Sequence, residues 1–195
     1  MKSNEHFINL PVEPQNLLKL KIGDIVYLSG LIMTARDQAH KKIVDIFDTN
    51  NKQLPPLLKE LKNCAIYHCG PIISEKKTDL LEKQLEPNRE FVIHSGGPTT
   101  SARMEQFQEK VCNILDIKIV IGKGGMKSVR FDRFKGVYLS FTGGCGAIFI
   151  EFTKKIKAEL WPELGMPEAV WIIEIDKFGP LIVSHDAHGN SIFSS

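Results

Sequence analysis

A run of almost unbroken apolar, β-branched-rich sequence at residues 24–33 (DIVYLSGLIM) constrains this chain more than any other feature. A strand with one wet face alternates apolar and polar residues, so a run without alternation predicts a strand covered on both faces. Residues 34–37 (TARD) follow, and residues 38–49 then place Ala39, Ile43, Ile46 and Phe47 at helical spacing. Thr34 or Asp37 is the expected cap of that helix.

The same unit recurs along the chain. Residues 64–69 (CAIYHC) predict a short strand ended by Gly70-Pro71. After the Gly96-Gly97-Pro98 turn, Met104, Phe107, Val111, Ile114 and Leu115 trace an apolar helical stripe. Residues 118–121 (KIVI) predict a strand delivering Gly122-Lys123-Gly124-Gly125, and residues 136–141 (GVYLSF) another, before glycine-rich 142–146. The last third is more strongly β, with strands expected at 155–161, 169–175 and 181–185 and a Gly189-Asn190 turn. Residues 1–16, with Pro11 and Pro14, predict an extended arm; 54–61 predict a short helix; 74–90 predict a solvated helix or long loop. Early alternation and late strands give an α/β fold class, a layered domain with a mixed sheet.

With 195 residues, 43% of them hydrophobic, the chain can bury one sizeable core, and residues 1–195 read as a single domain. A formal net charge of +2 is too small to argue for nucleic acid or an acidic membrane surface as partner. Neither a signal-peptide pattern nor an apolar run of membrane-spanning length is visible, so the expected location is cytoplasmic. The four cysteines, Cys64, Cys69, Cys112 and Cys145, form no C-x-x-C pair. Buried or loop thiols are therefore expected, with no metal site and no cluster held by this chain.

Three loops carry groups with chemistry. In TARDQAH, Arg36 can grip a carboxylate bidentately and Asp37 can hold Arg36 or His40, at a strand-to-helix junction where α/β sheets bind ligands. The plainer reading is a helix cap beside a surface Arg and His. In residues 96–103 (GGPTTSAR), a helix opening at the hydroxyl residues offers free N–H groups to an anion, with Arg103 able to face the same anion as Thr99. An ordinary capped helix is the alternative. Gly122-Lys123-Gly124-Gly125 permits close backbone approach and adds a point charge, without Walker A spacing. Basic residues between 118 and 135 offer an RNA-facing stripe, but no aromatic pattern of a nucleic-acid module accompanies them. Together Arg36, Thr99, Arg103 and Lys123 suit a small dicarboxylate. No self-sufficient catalytic arrangement accompanies them, which points to a shared site.

These segments resemble the β subunit, or C-terminal domain, of class I iron–sulfur fumarases and of L-tartrate dehydratase. The matching stretches are 28–42 (LSGLIMTARDQAHKK), Gly70-Pro71, 97–104 (GPTTSARM), 121–126 (IGKGGM), 143–147 (GGCGA), 161–171 (WPELGMPEAVW) and 178–193, ending in DAHGNSIF. Their order is far more specific than any one loop. The resemblance implies a swivelling β/β/α three-layer domain. It implies a cluster-bearing α subunit as partner, holding a [4Fe–4S] cluster whose open iron acts as a Lewis acid. It further implies reversible hydration of fumarate to L-malate, with L-tartrate dehydration as the alternative within the family. A stand-alone anion- or RNA-binding module is the alternative outside it. By the same resemblance Arg36, Thr99, Arg103 and Lys123 match substrate-contacting positions and Thr99 is the candidate proton acceptor. Asp37, His40, Gly122 and Gly124 are supporting. The chain departs from the family pattern in its longer 74–90 stretch and in Gly146, where alanine is common.

Overall fold

The computed structural model describes residues 3–49, 53–76 and 89–193. In chain order the elements begin with β1 (Glu5–Asn9), α1 (Pro14–Leu17), β2 (Ile25–Thr34), α2 (Asp37–Thr49), α3 (Pro56–Lys59) and β3 (Ala65–Tyr67). There follow β4 (Ile72–Glu75), β5 (Phe91–Ser95), α4 (Glu105–Leu115), β6 (Ile119–Gly122) and β7 (Val137–Ser140). The last are α5 (Phe149–Phe152), β8 (Thr153–Leu160) and β9 (Val170–His185).

The unbroken apolar runs become neighbouring parallel strands, because only a strand buried on both faces hides such a run. Met33, Ile66, Val120 and Tyr138 lie in register across β2, β3, β6 and β7, and all four are fully buried. The whole sheet has seven strands in the order β1-β2-β3-β6-β7-β9-β8, with β9 also pairing with β2. β9 runs antiparallel to β2, β7 and β8, which makes the sheet mixed. Helices α2 and α4 lay apolar stripes on the parallel strands, burying Ile43 and Val44 from one and Val111 and Leu115 from the other. Helices, parallel strands and the β8–β9 strands form the three layers of the expected fold class.

Several local expectations change. The arm is extended over Glu5–Asn9, where it pairs in parallel with β2 as the sheet's edge strand, and then turns into α1, which buries Leu17. The strands expected at 169–175 and 181–185 are one strand, β9, bent at Lys177 (φ +48°) and shifted in register there. Thr34 does not cap α2; its Oγ1 accepts the Trp171 N–H at 3.1 Å and ties β2 to β9. Residues 72–75 pair with β5 in a separate two-stranded sheet. The remainder of the charged 74–90 stretch lies largely outside the described residues. No helix among the described residues is long and apolar enough to cross a membrane.

Phe178 sits where the layers meet. Its ring centroid lies 5.3 Å from Tyr67, 4.9 Å from Phe141, 4.9 Å from Phe149 and 5.5 Å from Phe152. Removing a fully buried phenylalanine ring costs about 3–5 kcal/mol through lost transfer energy and the cavity left behind. Phe178→Ala is expected to lower stability by that amount and Phe178→Leu by clearly less, as read from urea denaturation midpoints.

Candidate active site

Strands β2, β3, β6 and β7 are parallel, so the loops after Thr34, Tyr67, Gly122 and Ser140 emerge at one edge of the sheet. Segment 98–100 joins them: Pro98 bridges Cys69, and Thr100 bridges Lys123. The three candidate loops therefore meet at the carboxyl ends of the parallel strands, the usual ligand crevice of such sheets.

Arg36 leaves β2 and passes over Gly70, where a Cβ would lie 2.7 Å from Arg36 Nη1 and 2.9 Å from the Pro167 carbonyl. Gly70 is thus the floor that lets the guanidinium through. Arg36 Nε lies 3.1 Å from Glu168 Oε1. This is an ion pair without a hydrogen bond, because the N–H direction misses the oxygen. Glu168 Oε2 accepts the Gln38 backbone N–H at 3.3 Å. Burial raises the Glu168 pKa and the Asp37 charge raises it further, while Arg36 and Arg103 pull the other way.

Arg103 Nη2 donates to Thr99 Oγ1 in a short hydrogen bond. Its charge is also felt at Glu168, which pairs with Arg36. Lys123 packs beside Gly143, its Nζ 3.7 Å from where a Cβ there would lie. That brings the glycine-rich 142–146 loop to the same edge. Gly124 has φ +79°, a left-handed conformation that favours glycine.

Two expectations need correction. In the segment after Gly97-Pro98, two backbone N–H groups are committed to the fold and not free for an anion. The Thr99 N–H donates to the His68 carbonyl at 2.7 Å and the Ser101 N–H to the Lys123 carbonyl at 3.0 Å. A 3-10 turn covers Ser101–Met104, and α4 begins only at Glu105, without a side-chain cap. Asp37 holds neither Arg36 nor His40 by a hydrogen bond, and its Oδ1 is buried without a partner. It acts on His40 through its charge alone.

Beneath the loops runs a chain of buried polar groups. His40 Nδ1 donates to the Arg36 carbonyl at 2.8 Å. Gln108 Oε1 lies 3.0 Å from His40 Nε2 and 2.7 Å from His68 Nε2. His68 Nδ1 is 2.8 Å from Ser101 Oγ, which is 2.9 Å from the Tyr138 hydroxyl. The Ser101 N–H, donating to the Lys123 carbonyl at 3.0 Å, extends the chain to the third loop. All three candidate loops are thereby fastened to one structure. Gly122 makes room for it, since a Cβ there would fall 2.1 Å from Ser101 Oγ and 3.1 Å from His68 Nδ1.

Proton counting fixes the state of this chain. Burial lowers the pKa of His40, and burial together with His40 pushes His68 well below the usual histidine range, so both rings are neutral. A carbonyl only accepts, so His40 carries its proton on Nδ1, and its Nε2 is an acceptor. An amide oxygen facing that Nε2 would leave both atoms without a proton between them. Exchanging the amide's O and N lets the Gln108 NH2 donate to both imidazoles while its oxygen takes the Cys112 thiol proton.

Burial holds the thiol pKa of Cys64 up at about 11 and that of Cys112 at about 12, and raises that of Cys69 further still. Among the described residues no three His, Cys, Asp or Glu side chains are placed to hold a metal ion.

Residues 2–195 match the family model described as fumarase C-terminus. The chain belongs to that family. It is 44% identical over 183 residues to a protein named "Putative L(+)-tartrate dehydratase subunit beta" from Methanocaldococcus jannaschii, covering 92% of this chain and 86% of the relative. It is 34% identical over 190 residues to the L(+)-tartrate dehydratase subunit beta of Escherichia coli K12, covering 96% of this chain and 86% of that one. With a protein named "Putative fumarate hydratase class I" from Geobacillus stearothermophilus the identity is 31% over 188 residues, 95% of this chain but 33% of that longer protein.

His68, Ser101, Gln108, Tyr138 and Glu168 do not emerge from the sequence reading. One signal was there for Gln108: it stands four residues after Met104 and three before Val111, a polar side chain on the apolar stripe. Gln108→Leu leaves both imidazole Nε2 atoms unpaired in the core. It is expected to cost about 2–4 kcal/mol, measured by urea denaturation.

The histidines also set a pH dependence. An unfolded histidine binds its proton near pH 6.5, whereas burial lowers the pKa of His40 and pushes that of His68 well below the usual range. Stability is therefore undiminished by them above about pH 6.5 and falls as the pH drops below it, by up to about 1.4 kcal/mol per pH unit for each ring. Between pH 7 and pH 5, His68→Gln is expected to remove about 2 kcal/mol of the parent's acid-side loss, read from urea midpoints at the two pH values.

Proposed function

We propose that this chain is the smaller, substrate-gripping subunit of an iron–sulfur-dependent hydro-lyase that adds water to, or removes it from, a four-carbon dicarboxylate. The observation that carries the reading is the meeting of Arg36, Thr99, Arg103 and Lys123 at the carboxyl ends of the parallel strands, on a chain of the fumarase C-terminus family. Planar guanidinium groups grip carboxylates bidentately, and Lys123 adds a point charge beside them. Thr99 is the proposed proton acceptor. Arg103 donating to its oxygen favours the alkoxide over the neutral hydroxyl, which supports that role.

The cluster is assigned to an α subunit. The names of the tartrate dehydratase relatives speak of a subunit beta. The fumarase relative is a longer protein of which this chain matches 33%. Both facts support a site completed by another polypeptide. Fumarate and L-malate are the first substrate pair in this reading. L(+)-tartrate is the second, favoured by the names of the relatives at 44% and 34% identity. A nucleic-acid role is disfavoured because Lys118, Arg130 and Arg133 of the basic stretch pair with Asp116, Asp132 and Glu109.

The test is anaerobic co-expression with the cluster-bearing partner and assay on fumarate, L-malate and L(+)-tartrate. Arg103→Met is expected to lower kcat/KM on order of 10²–10³ and Arg103→Lys by less, because lysine keeps the charge without the fork. Folding is expected to stay intact, since Arg103 is exposed. A kcat/KM within about twofold of the parent for Arg103→Met would overturn the reading.

A further inference from the structure

We infer that Glu168 is a positioning residue: it fixes the guanidinium of Arg36 by its Nε side and so presents the remaining edge to a substrate carboxylate. The assignment rests on the proposed reading of the site and adds a residue to it.

The segment 161–168 is shaped to aim this carboxylate. Trp161 takes a left-handed φ of +59° and Gly165 one of +85°, folding the chain back on itself. The Glu168 N–H closes that turn on the Gly165 carbonyl at 2.9 Å. The turn is docked on α2, where Lys42 pairs with Glu163 and stands 5.2 Å over the Trp161 ring. Trp171 Nε1 donates to the Met166 carbonyl at 2.9 Å and ties the same turn to β9. Glu168 therefore arrives at the start of α2 with its direction set from two sides.

Its two oxygens are divided. Oε2 takes the Gln38 N–H in the first turn of α2, which anchors the carboxylate to the element that follows Arg36 directly. Oε1 faces Arg36 Nε. A carboxylate that is itself anchored does not travel with the guanidinium; it sets where the guanidinium stands. Nη1 lies over Gly70, so with the Nε side held by Glu168 the outer edge of the fork is left for an anion. A guanidinium swinging freely would pay for each carboxylate it grips with lost rotamer freedom. Holding it beforehand removes that cost. The carboxylate also leaves the site less cationic when empty, which lowers repulsion among Arg36, Arg103 and Lys123.

A residue acting through Arg36 has a distinctive signature. In the reconstituted complex, Glu168→Gln is expected to raise KM about tenfold with kcat within about threefold, because Arg36 grips the carboxylate in ground state and transition state alike. Glu168→Asp, which keeps the charge but not the reach, is expected to fall between. On the Arg36→Met background, Glu168→Gln is expected to add nothing, since the two act as one unit. Additive losses, or a KM lowered by Glu168→Gln, would overturn the assignment. The full chain labelled with 15N-arginine gives a second readout that needs no turnover. The Arg36 Nε signal is expected to show larger-amplitude side-chain motion by 15N relaxation in Glu168→Gln at unchanged thermal midpoint, and unaltered motion would overturn the assignment. That signal decides the matter even for a complex inactive on fumarate, malate and tartrate, a result that would remove the functional reading alone.

Discussion

The hydrogen-bonded chain from the Arg36 carbonyl through His40, Gln108, His68 and Ser101 to Tyr138 is the constraint on which the site depends. Its members come from distant parts of the sequence, residues 36–40, 68, 101–108 and 138, and the side chains of His40, His68, Ser101, Gln108 and Tyr138 are out of contact with water. A buried polar group without a partner costs more than a made hydrogen bond returns, so such a chain is stable only when every link closes. That condition acts as a register lock. α2, α4, β3 and β7 have to stand at heights where His40, Gln108, His68 and Tyr138 meet, and the loops above them are placed as a result. Apolar packing alone would tolerate small slides between helix and sheet; this chain does not.

Above the lock the N–H groups of Thr99 and Ser101 are spent on the carbonyls of His68 and Lys123, which stitch the loops together. The charged side chains proposed for ligand recognition are cations. A cluster of cations awaiting an anion weakens the empty protein, so rigidity has to be supplied from below and from Glu168 at the side. This division, a neutral buried lock under a charged rim, is why changes at Arg103 and at Gln108 are expected to separate activity from stability.

Much of this was legible in sequence. The run DIVYLSGLIM predicted a strand buried on both faces, and β2 is so buried only from Ile32 to Thr34, whereas CAIYHC and KIVI predicted strands that are fully buried as β3 and β6. Position on strand ends singled out Arg36, Thr99, Arg103 and Lys123, because polar and glycine-rich residues interrupt apolar runs there. Glu168 was hidden because its partner Arg36 is remote in sequence and its loop reads as an ordinary turn. His68 was hidden inside a strand whose neighbours are apolar. The continuous β9 was hidden because the polar residues at its bend look like a turn, although pairing with β2 and β8 before the bend, and with β2 and β7 after it, holds them in a strand.

That strand has a consequence for how the protein is made. β2 pairs with β9 from Ile25 opposite Ile182 to Met33 opposite Ile172, so an early segment waits for a late one. Pairings between segments so far apart in sequence form slowly, because loop closure must be met before any contact rewards it. During synthesis the parallel strands emerge with one flank of β2 uncovered, an open edge of the kind that recruits foreign chains. Glu168 leaves the ribosome just ahead of β9, together with the turn that aims it. The edge that carries Arg36, Thr99, Arg103 and Lys123 is therefore the last part to be wired, and a growing chain lacks the finished arrangement of its loops until its final strand has closed the sheet.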